Sequence, residues 1–384
     1  MKARTSTLYA MAASLPLLPT VVAFELLAPS EPAGSLLFYL LVPAFLARRI
    51  GKGWRPPWHE PTVSLGLALI LWSTICLAWD HDPSGCDPSR LLWLLDAFCT
   101  LVFFLAWLAT DADLPSRAWL VPALLVGGAG NALFAIVRHL LFDPAGVRMW
   151  GWGITGQPVP GSAIMAVLFV VALDRFIRFD RRTALPHLAA MILFALFMIL
   201  SNSRGPVLAV TLATAYRLSR ERWQIAASLG LAAITGSVGL FAIAPHWAHN
   251  LLTNDFQRGT DLHVTIWRAA LAAIAHRPVL GYGPAARLPI NIPGLPYPFP
   301  HDLYLSTLFY SGAVGLVLLA LLVVAIFRGV NRLAPVYAAI CLVPLVAGFT
   351  DLSQLIKGPS AIWFVFWVPI LLNITARLHQ KGPI

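Results

Sequence analysis

The chain has 384 residues, of which 58% are hydrophobic and only 11% charged, with a mean hydropathy of +0.75. So little charge excludes a soluble globular protein of this length. The formal charge of +10 would suit a nucleic-acid partner only if the cations were gathered into one patch, and they are not.

Apolar runs of about 17–25 residues recur along the sequence, the length needed to cross ~30 Å of hydrocarbon as a helix. They predict spans at 7–28, 34–47, 62–79, 91–109, 117–141, 160–178, 186–202, 205–218, 223–244, 302–327, 333–350 and 360–376. The expectation is an all-α, polytopic integral membrane protein forming a single domain over 1–384. The first run carries the basic start and apolar core of a signal peptide. Its length and the close second span make it an uncleaved first helix. Both termini then share one face, and most of the 27 Lys and Arg fall on that face, densest at 48–55 and 175–182. The positive-inside rule makes it cytoplasmic. The charge is topological, and no nucleic acid is implied.

Between the spans, Asp80-His81-Asp82 and Asp111-Ala112-Asp113 match a DxD pattern. The first is expected outside, where nucleotide sugars are absent, and the second sits in a short inner connection, so neither is read as a site. Arg148 and Gln157, in VRMWGWGITGQPVPG, flank an outer connection and are candidate site-lining residues. The four cysteines, Cys76, Cys86, Cys99 and Cys341, have neither pairing nor metal spacing. No nucleotide-binding or metal-ligand motif occurs, so neither cofactor nor metal is expected.

Arg204 interrupts two apolar runs in ILSNSRGPVLAV, at a predicted outer turn. An arginine embedded this way is costly unless it faces a cavity or an anion, and its guanidinium fork suits phosphate oxygens. Gly205-Pro206 then opens a helix whose first amides also favour an anion. The competing reading is an arginine snorkelling to headgroups.

The longest polar stretch, 245–301, is expected as an outer loop inserted between spans. Within it Thr260–Ala275 reads as an amphipathic helix with Leu262, Ile266, Leu271 and Ile274 on its apolar stripe. Arg258, His263 and Arg268 take the polar positions and would extend a basic pocket, or else simply face solvent. Residues 278–300, rich in Pro and Gly, predict an irregular loop. The next helix opens with PHDLYLSTLFYSGAVG. A histidine at a helix start is disfavoured as a cation and is available to accept a proton. His301 is therefore the candidate base, with Asp302 and Tyr304 beside it, against the plainer reading of a histidine that only packs at the interface.

Ser-Arg-Gly at a span junction, then RGT, IWRAAL and HRPVLGYG in a long outer loop, then His-Asp-Leu-Tyr-Leu followed by Gly-Ala-Val-Gly, resembles the O-antigen ligase / O-antigen polymerase superfamily. The resemblance covers roughly 145–327. It implies a glycosyltransferase of the bacterial inner membrane, working on its periplasmic face. Its partners would be a glycan on undecaprenyl diphosphate, the lipid A–core acceptor and membrane lipids. The family's turn arginine falls on Arg204 and its re-entry histidine, the catalytic base, on His301. Its loop arginine falls where this chain has His263, leaving Arg258 or Arg268 to supply the charge. Where the family commonly has Asn, this chain has Asp302. The polymerase and protein O-oligosaccharyltransferase branches would use the same donor, and a lipid-linked sugar transporter would bind it without reaction. The modest length and single large outer loop lean the expectation toward ligase.

Overall fold

The computed structural model describes residues 17–80, 89–112, 114–144, 147–178, 181–220, 256–288, 290, 299–328, 333–352 and 354–380. The predicted span 223–244, the start of span 7–28, and His81, Asp82, Cys86 and Asp113 lie outside these residues. All regular structure among the described residues is helical. In chain order the helices are α1 (Leu17–Leu27), α2 (Glu31–Gly51), α3 (Pro61–Ile75), α4 (Ser89–Asp111), α5 (Leu114–Phe142), α6 (Pro158–Arg178) and α7 (Arg181–Leu200). Then come α8 (204–220), α9 (Phe256–His276), α10 (Leu303–Phe327), α11 (Pro335–Asp351) and α12 (Val368–Gln380).

Among the described residues, six helical stretches are long and apolar enough to span a membrane: Glu31–Gly51, Pro61–Trp79, Arg90–Asp111, Ala118–Phe142, Pro158–Arg178 and Leu303–Phe327. Leu17–Leu27, Ala184–Leu200 and Pro335–Asp351 are shorter apolar helices. The protein is an all-α, polytopic membrane protein. Exposed Leu, Ile and Phe on α2, α4, α5 and α7 are what lipid-facing surfaces require, since tails solvate them as well as a core would.

The bundle's interior is built where α6 packs along α7, α1 along α5, and α3 along α10. Trp363 stacks on Phe103 of α4 with ring centroids 4.5 Å apart, and its indole N–H donates to Thr100 Oγ1 at 3.1 Å. Trp367 donates to the Leu355 carbonyl at 2.8 Å. Both indoles thus satisfy their polar end while burying the ring. Arg217 of α8 is fully buried, and its Nε donates to Asp174 Oδ1 of α6 at 2.8 Å. This cation, counted from sequence with the charges of the cytoplasmic face, is an internal partner. Unpaired, it would be too costly to hold in a low-dielectric core.

The irregular segment after α9 meets a break in α10. Gly312 has φ 65°, outside helical space, and the break frees carbonyls on the preceding turn. Tyr282 N–H donates to Phe309 O at 2.8 Å and Gly283 N–H to Tyr310 O at 2.9 Å. In return Ala313 N–H donates to Pro278 O at 2.8 Å. Irregular backbone at this depth survives because freed groups find partners in the facing segment. A Cβ on Gly312 would overlap the Val279 carbonyl oxygen, so the close approach needs glycine at that position.

Helix α9 begins one turn earlier than the expected Thr260 and ends beside the expected Ala275. Its inward face is Ile266, Ala270, Ala273 and Ile274, packed with Phe309 and Tyr310 of α10. Leu262 and Leu271, assigned to the apolar stripe from sequence, are exposed. Small alanines lie inward because α9 docks closely on the broken part of α10, and the large leucines are left facing out.

Candidate active site

Two segments distant in sequence meet beside the end of α11. The first is the turn 201–203 between α7 and α8. Ser162, Ser201 and Ser203 link their hydroxyls, with Ser162 and Ser201 Oγ atoms 2.5 Å apart and Ser201 and Ser203 Oγ atoms 3.2 Å apart. Arg148 reaches in from the outer connection. Its Nε donates to Ser201 O at 2.5 Å and its Nη2 to Ser203 Oγ at 3.1 Å. Asn202 holds φ 48°, a left-handed conformation that Asn tolerates better than most residues. Arg204 then starts α8 with its side chain exposed. A Cβ on Gly205 would overlap Thr350 Oγ1 and lie 2.8 Å from Thr350 Cβ and Cγ2. The start of α8 is therefore pressed against the residue preceding Asp351.

The second segment is the re-entry into α10. Asp302 is the N-cap, its carboxylate accepting from Leu305 N–H at 2.8 Å. Burial raises the Asp302 carboxyl above its ordinary value, while hydrogen bonds from the Leu305 and Tyr304 amides and the charge on His263 oppose the rise. The sequence placed His301 at the positive helix end with Asp302 beside it. Asp302 instead turns inward to close that helix end. His301 sits before the cap with φ 51°, a strained conformation for a non-glycine residue. Its Nδ1 lies 2.8 Å from Asp351 Oδ1, and Phe299 stacks on the ring with centroids 3.6 Å apart. With Nδ1–H donating to the carboxylate, Nε2 carries the free lone pair.

His263 of α9 completes this side, its ring centroid 6.2 Å from that of His301 and 5.7 Å from Trp267. Its Nδ1 is buried without a hydrogen-bond partner among the described residues. Burial pushes the His263 imidazole below its ordinary value, the neighbouring His301 pushes it further, and Asp351 and Asp302 oppose. Partial burial likewise lowers Arg148, the Asp351 carboxylate opposes it, and the Arg204 cation adds to the lowering. Arg148, Arg204, Asp351, His301 and His263 thus share one electrostatic neighbourhood.

A small cleft of about 60 Å³ opens beside Asp351, with Gln157, Phe299, Glu31, Lys357 and Ser360 on its walls. Of the sequence candidates, Arg148, Gln157, Arg204, His263 and His301 come together. Arg268 is exposed on α9 with Val264 and Leu271, roughly 140° around the helix from His263 at ~100° per residue. Tyr304 turns to α11, its hydroxyl donating to Leu345 O at 2.7 Å. The side chain of Arg258 lies outside the described ones. Asp80 Oδ2 accepts from Ala285 N–H at 2.8 Å and anchors the segment after α9, while Asp111 is bonded to His379 at 2.7 Å. Among the described residues no three His, Cys, Asp or Glu side chains assemble as metal ligands.

Asp351, Lys357 and Glu31 were not found from the sequence. The only signal was an acidic residue ending an apolar run in GFTDLSQ, which a span-ending aspartate would equally produce.

A family model described as O-antigen ligase matches residues 189–320, from α7 through the break in α10. These residues include the 201–204 turn, His263 and His301. An O-antigen ligase of Pseudomonas aeruginosa is 26% identical over 362 residues, covering 91% of this chain and 84% of the relative. The chain is thus similar to the O-antigen ligase family over 189–320 and to this relative over most of its length. The expected resemblance extends well beyond the motif-bearing half. The match runs through the N-terminal spans, which lie outside the 145–327 stretch of the resemblance read from sequence.

Proposed function

We propose that this protein transfers an O-antigen glycan from undecaprenyl diphosphate to a sugar hydroxyl of lipid A–core, on the periplasmic face of the bacterial inner membrane. The observation that carries the reading is the His301–Asp351 pair, 2.8 Å apart, beside the cations Arg148 and Arg204. His301 Nε2 takes the proton of the acceptor hydroxyl as its oxygen attacks the anomeric carbon. The bond from that carbon to the diphosphate oxygen breaks, and undecaprenyl diphosphate departs with the electron pair. Attack opposite the leaving group inverts the anomeric centre. Asp351 accepts from Nδ1–H, which fixes the tautomer and steadies the imidazolium that forms.

The diphosphate is already a good leaving group, so neither nucleotide nor metal is required. What the step needs is positive charge set where negative charge grows, in a site partly shielded from water. Arg204 and Arg148 supply it from one wall, and His263 and Arg258 are the candidates on α9. The cleft lined by Gln157, Glu31, Lys357 and Ser360 offers the mixed donors and acceptors that sugar hydroxyls need. Apolar surface between the helices receives the polyprenyl tail.

Lipopolysaccharide and lipid-linked glycan gels from cells whose only copy carries His301→Ala test this reading. Loss of long-chain surface polymer, with long chains accumulating on the lipid carrier, is the expected outcome. Core bearing a single repeat unit would make it a polymerase, and an unchanged ladder would remove His301 from the chemistry.

A further inference from the structure

A wide crevice lies at the opposite end of α10 from His301, about 37 Å away at ~1.5 Å per residue along its 25 residues. Its volume is about 670 Å³, and it opens between α3, α10 and α12. Leu65, Leu321 and Val324 form its apolar wall. Leu321 and Val324 are 48% and 45% exposed, so the crevice opens sideways, toward the space that lipid tails occupy. Glu60, Arg328 and Arg377 line its polar end.

The two arginines differ in what they already do. Arg377 is engaged: its Nε donates to Asn373 Oδ1 at 2.8 Å, and its Nη2 donates to the Ile326 and Arg328 carbonyls at the end of α10. The Arg328 side chain is exposed and makes no hydrogen bond or ion pair with the described residues. Trp58, 59% exposed, stands in the connection leading into Pro61 on the crevice rim. An exposed tryptophan there marks headgroup depth. The same end of the molecule carries Arg48, Arg49, Lys52 and Arg55 on α2 and that connection.

We propose that this crevice binds an anionic glycerophospholipid. Its headgroup phosphate meets the guanidinium of Arg328, and one acyl chain lies along Leu65, Leu321 and Val324. Charge selects the headgroup: two arginines face a single carboxylate, on a face already rich in cations. The lateral opening selects a lipid over a soluble anion. The volume lies within the range of small-ligand sites. The site is separate from the chemistry at His301 and independent of the function proposed above.

The test uses the purified full-length protein in detergent with added dioleoyl phosphatidylglycerol or dioleoyl phosphatidylcholine, read by native mass spectrometry and thermal unfolding. Phosphatidylglycerol is expected to bind and raise the unfolding temperature, and phosphatidylcholine to do so much less. Arg328→Gln should weaken phosphatidylglycerol binding by roughly fivefold, the effect of one cation near an anionic headgroup. It should leave lipid-free stability unchanged, since Arg328 makes no side-chain bond to the described residues. Val324→Trp, which fills the crevice, should abolish the preference. Equal binding of the two lipids would overturn the proposal. So would a loss in Lys52→Gln as large as in Arg328→Gln, because general attraction to a basic face would then explain the binding.

Discussion

Asp351 Oδ1 lies 2.8 Å from His301 Nδ1, although 50 residues of sequence separate the two. The carboxylate ends α11 and the histidine precedes α10, and the packing of α11 on α10 brings them together. With Nδ1–H donating to the carboxylate, Nε2 is left to accept.

If the pair acts as proposed, His301→Ala should lower the transfer rate by ~10²–10⁴, the usual worth of a positioned general base. Asp351→Asn keeps the shape and removes the charge that steadies the imidazolium. It should lower kcat while leaving donor KM close to wild type, measured with lipid-linked glycan and purified acceptor. A rise in KM at constant kcat would instead make Asp351 part of the binding surface.

Gly205→Ala sets a methyl against Thr350, where a Cβ would overlap Oγ1 and lie 2.8 Å from Cβ and Cγ2. Helix starts wedged apart in this way typically lose about 1–3 kcal/mol, and here Arg204 would also move away from Asp351. Thermal unfolding in detergent and transfer activity should both fall. Adding Thr350→Ala, which removes two of the three atoms the methyl meets, should recover part of each. No recovery would show that the cost lies elsewhere.

Arg148→Lys retains a cation but cannot donate both to Ser201 O and to Ser203 Oγ in the fork seen here. A bidentate arginine site does not accept lysine as an equal. Loosening of the 201–203 turn should appear as a raised donor KM, on the order of tenfold for a lost charged hydrogen bond of about 1.5 kcal/mol. Unchanged KM would show that the turn is held without it.

His263 supplies a pH dependence. Burial and His301 hold its folded-state value below the 6.5 of a free imidazole. As pH falls, the unfolded form therefore takes up the proton first. The docking of α9 should be fully stable above about pH 6.5 and lose stability as the pH falls below it. Hydrogen exchange of α9 amides should accelerate on acidification in the wild type and far less in His263→Phe. Equal acceleration in both would assign the effect to other groups.

Gly312→Ala should be more damaging than its size implies, because φ 65° and the Val279 carbonyl leave no room for a Cβ. About 1–3 kcal/mol of destabilisation is expected from the backbone conformation alone. The segment carrying Gly281 would lose its partners on α10. Limited proteolysis after α9 should cut the variant and spare the wild type.

Hydrophobic run length alone dictated membrane helices, because lipid leaves the backbone no other way to satisfy its hydrogen bonds without closing a barrel. The cost of an isolated cation between apolar runs made Arg204 visible, and a histidine at the loop's re-entry made His301 visible. Which groups they meet was decided by packing across long sequence separations. Asp351 reads locally as the end of a span, Asp302 as the neighbour of a histidine, and Leu271 as part of an apolar stripe. Only the docking of α11 and α9 on α10 turns the first into the partner of His301, the second into a helix cap and the third outward. Periodicity and motif spacing record what one helix prefers, whereas a site made from several helices depends on distances that no single segment encodes.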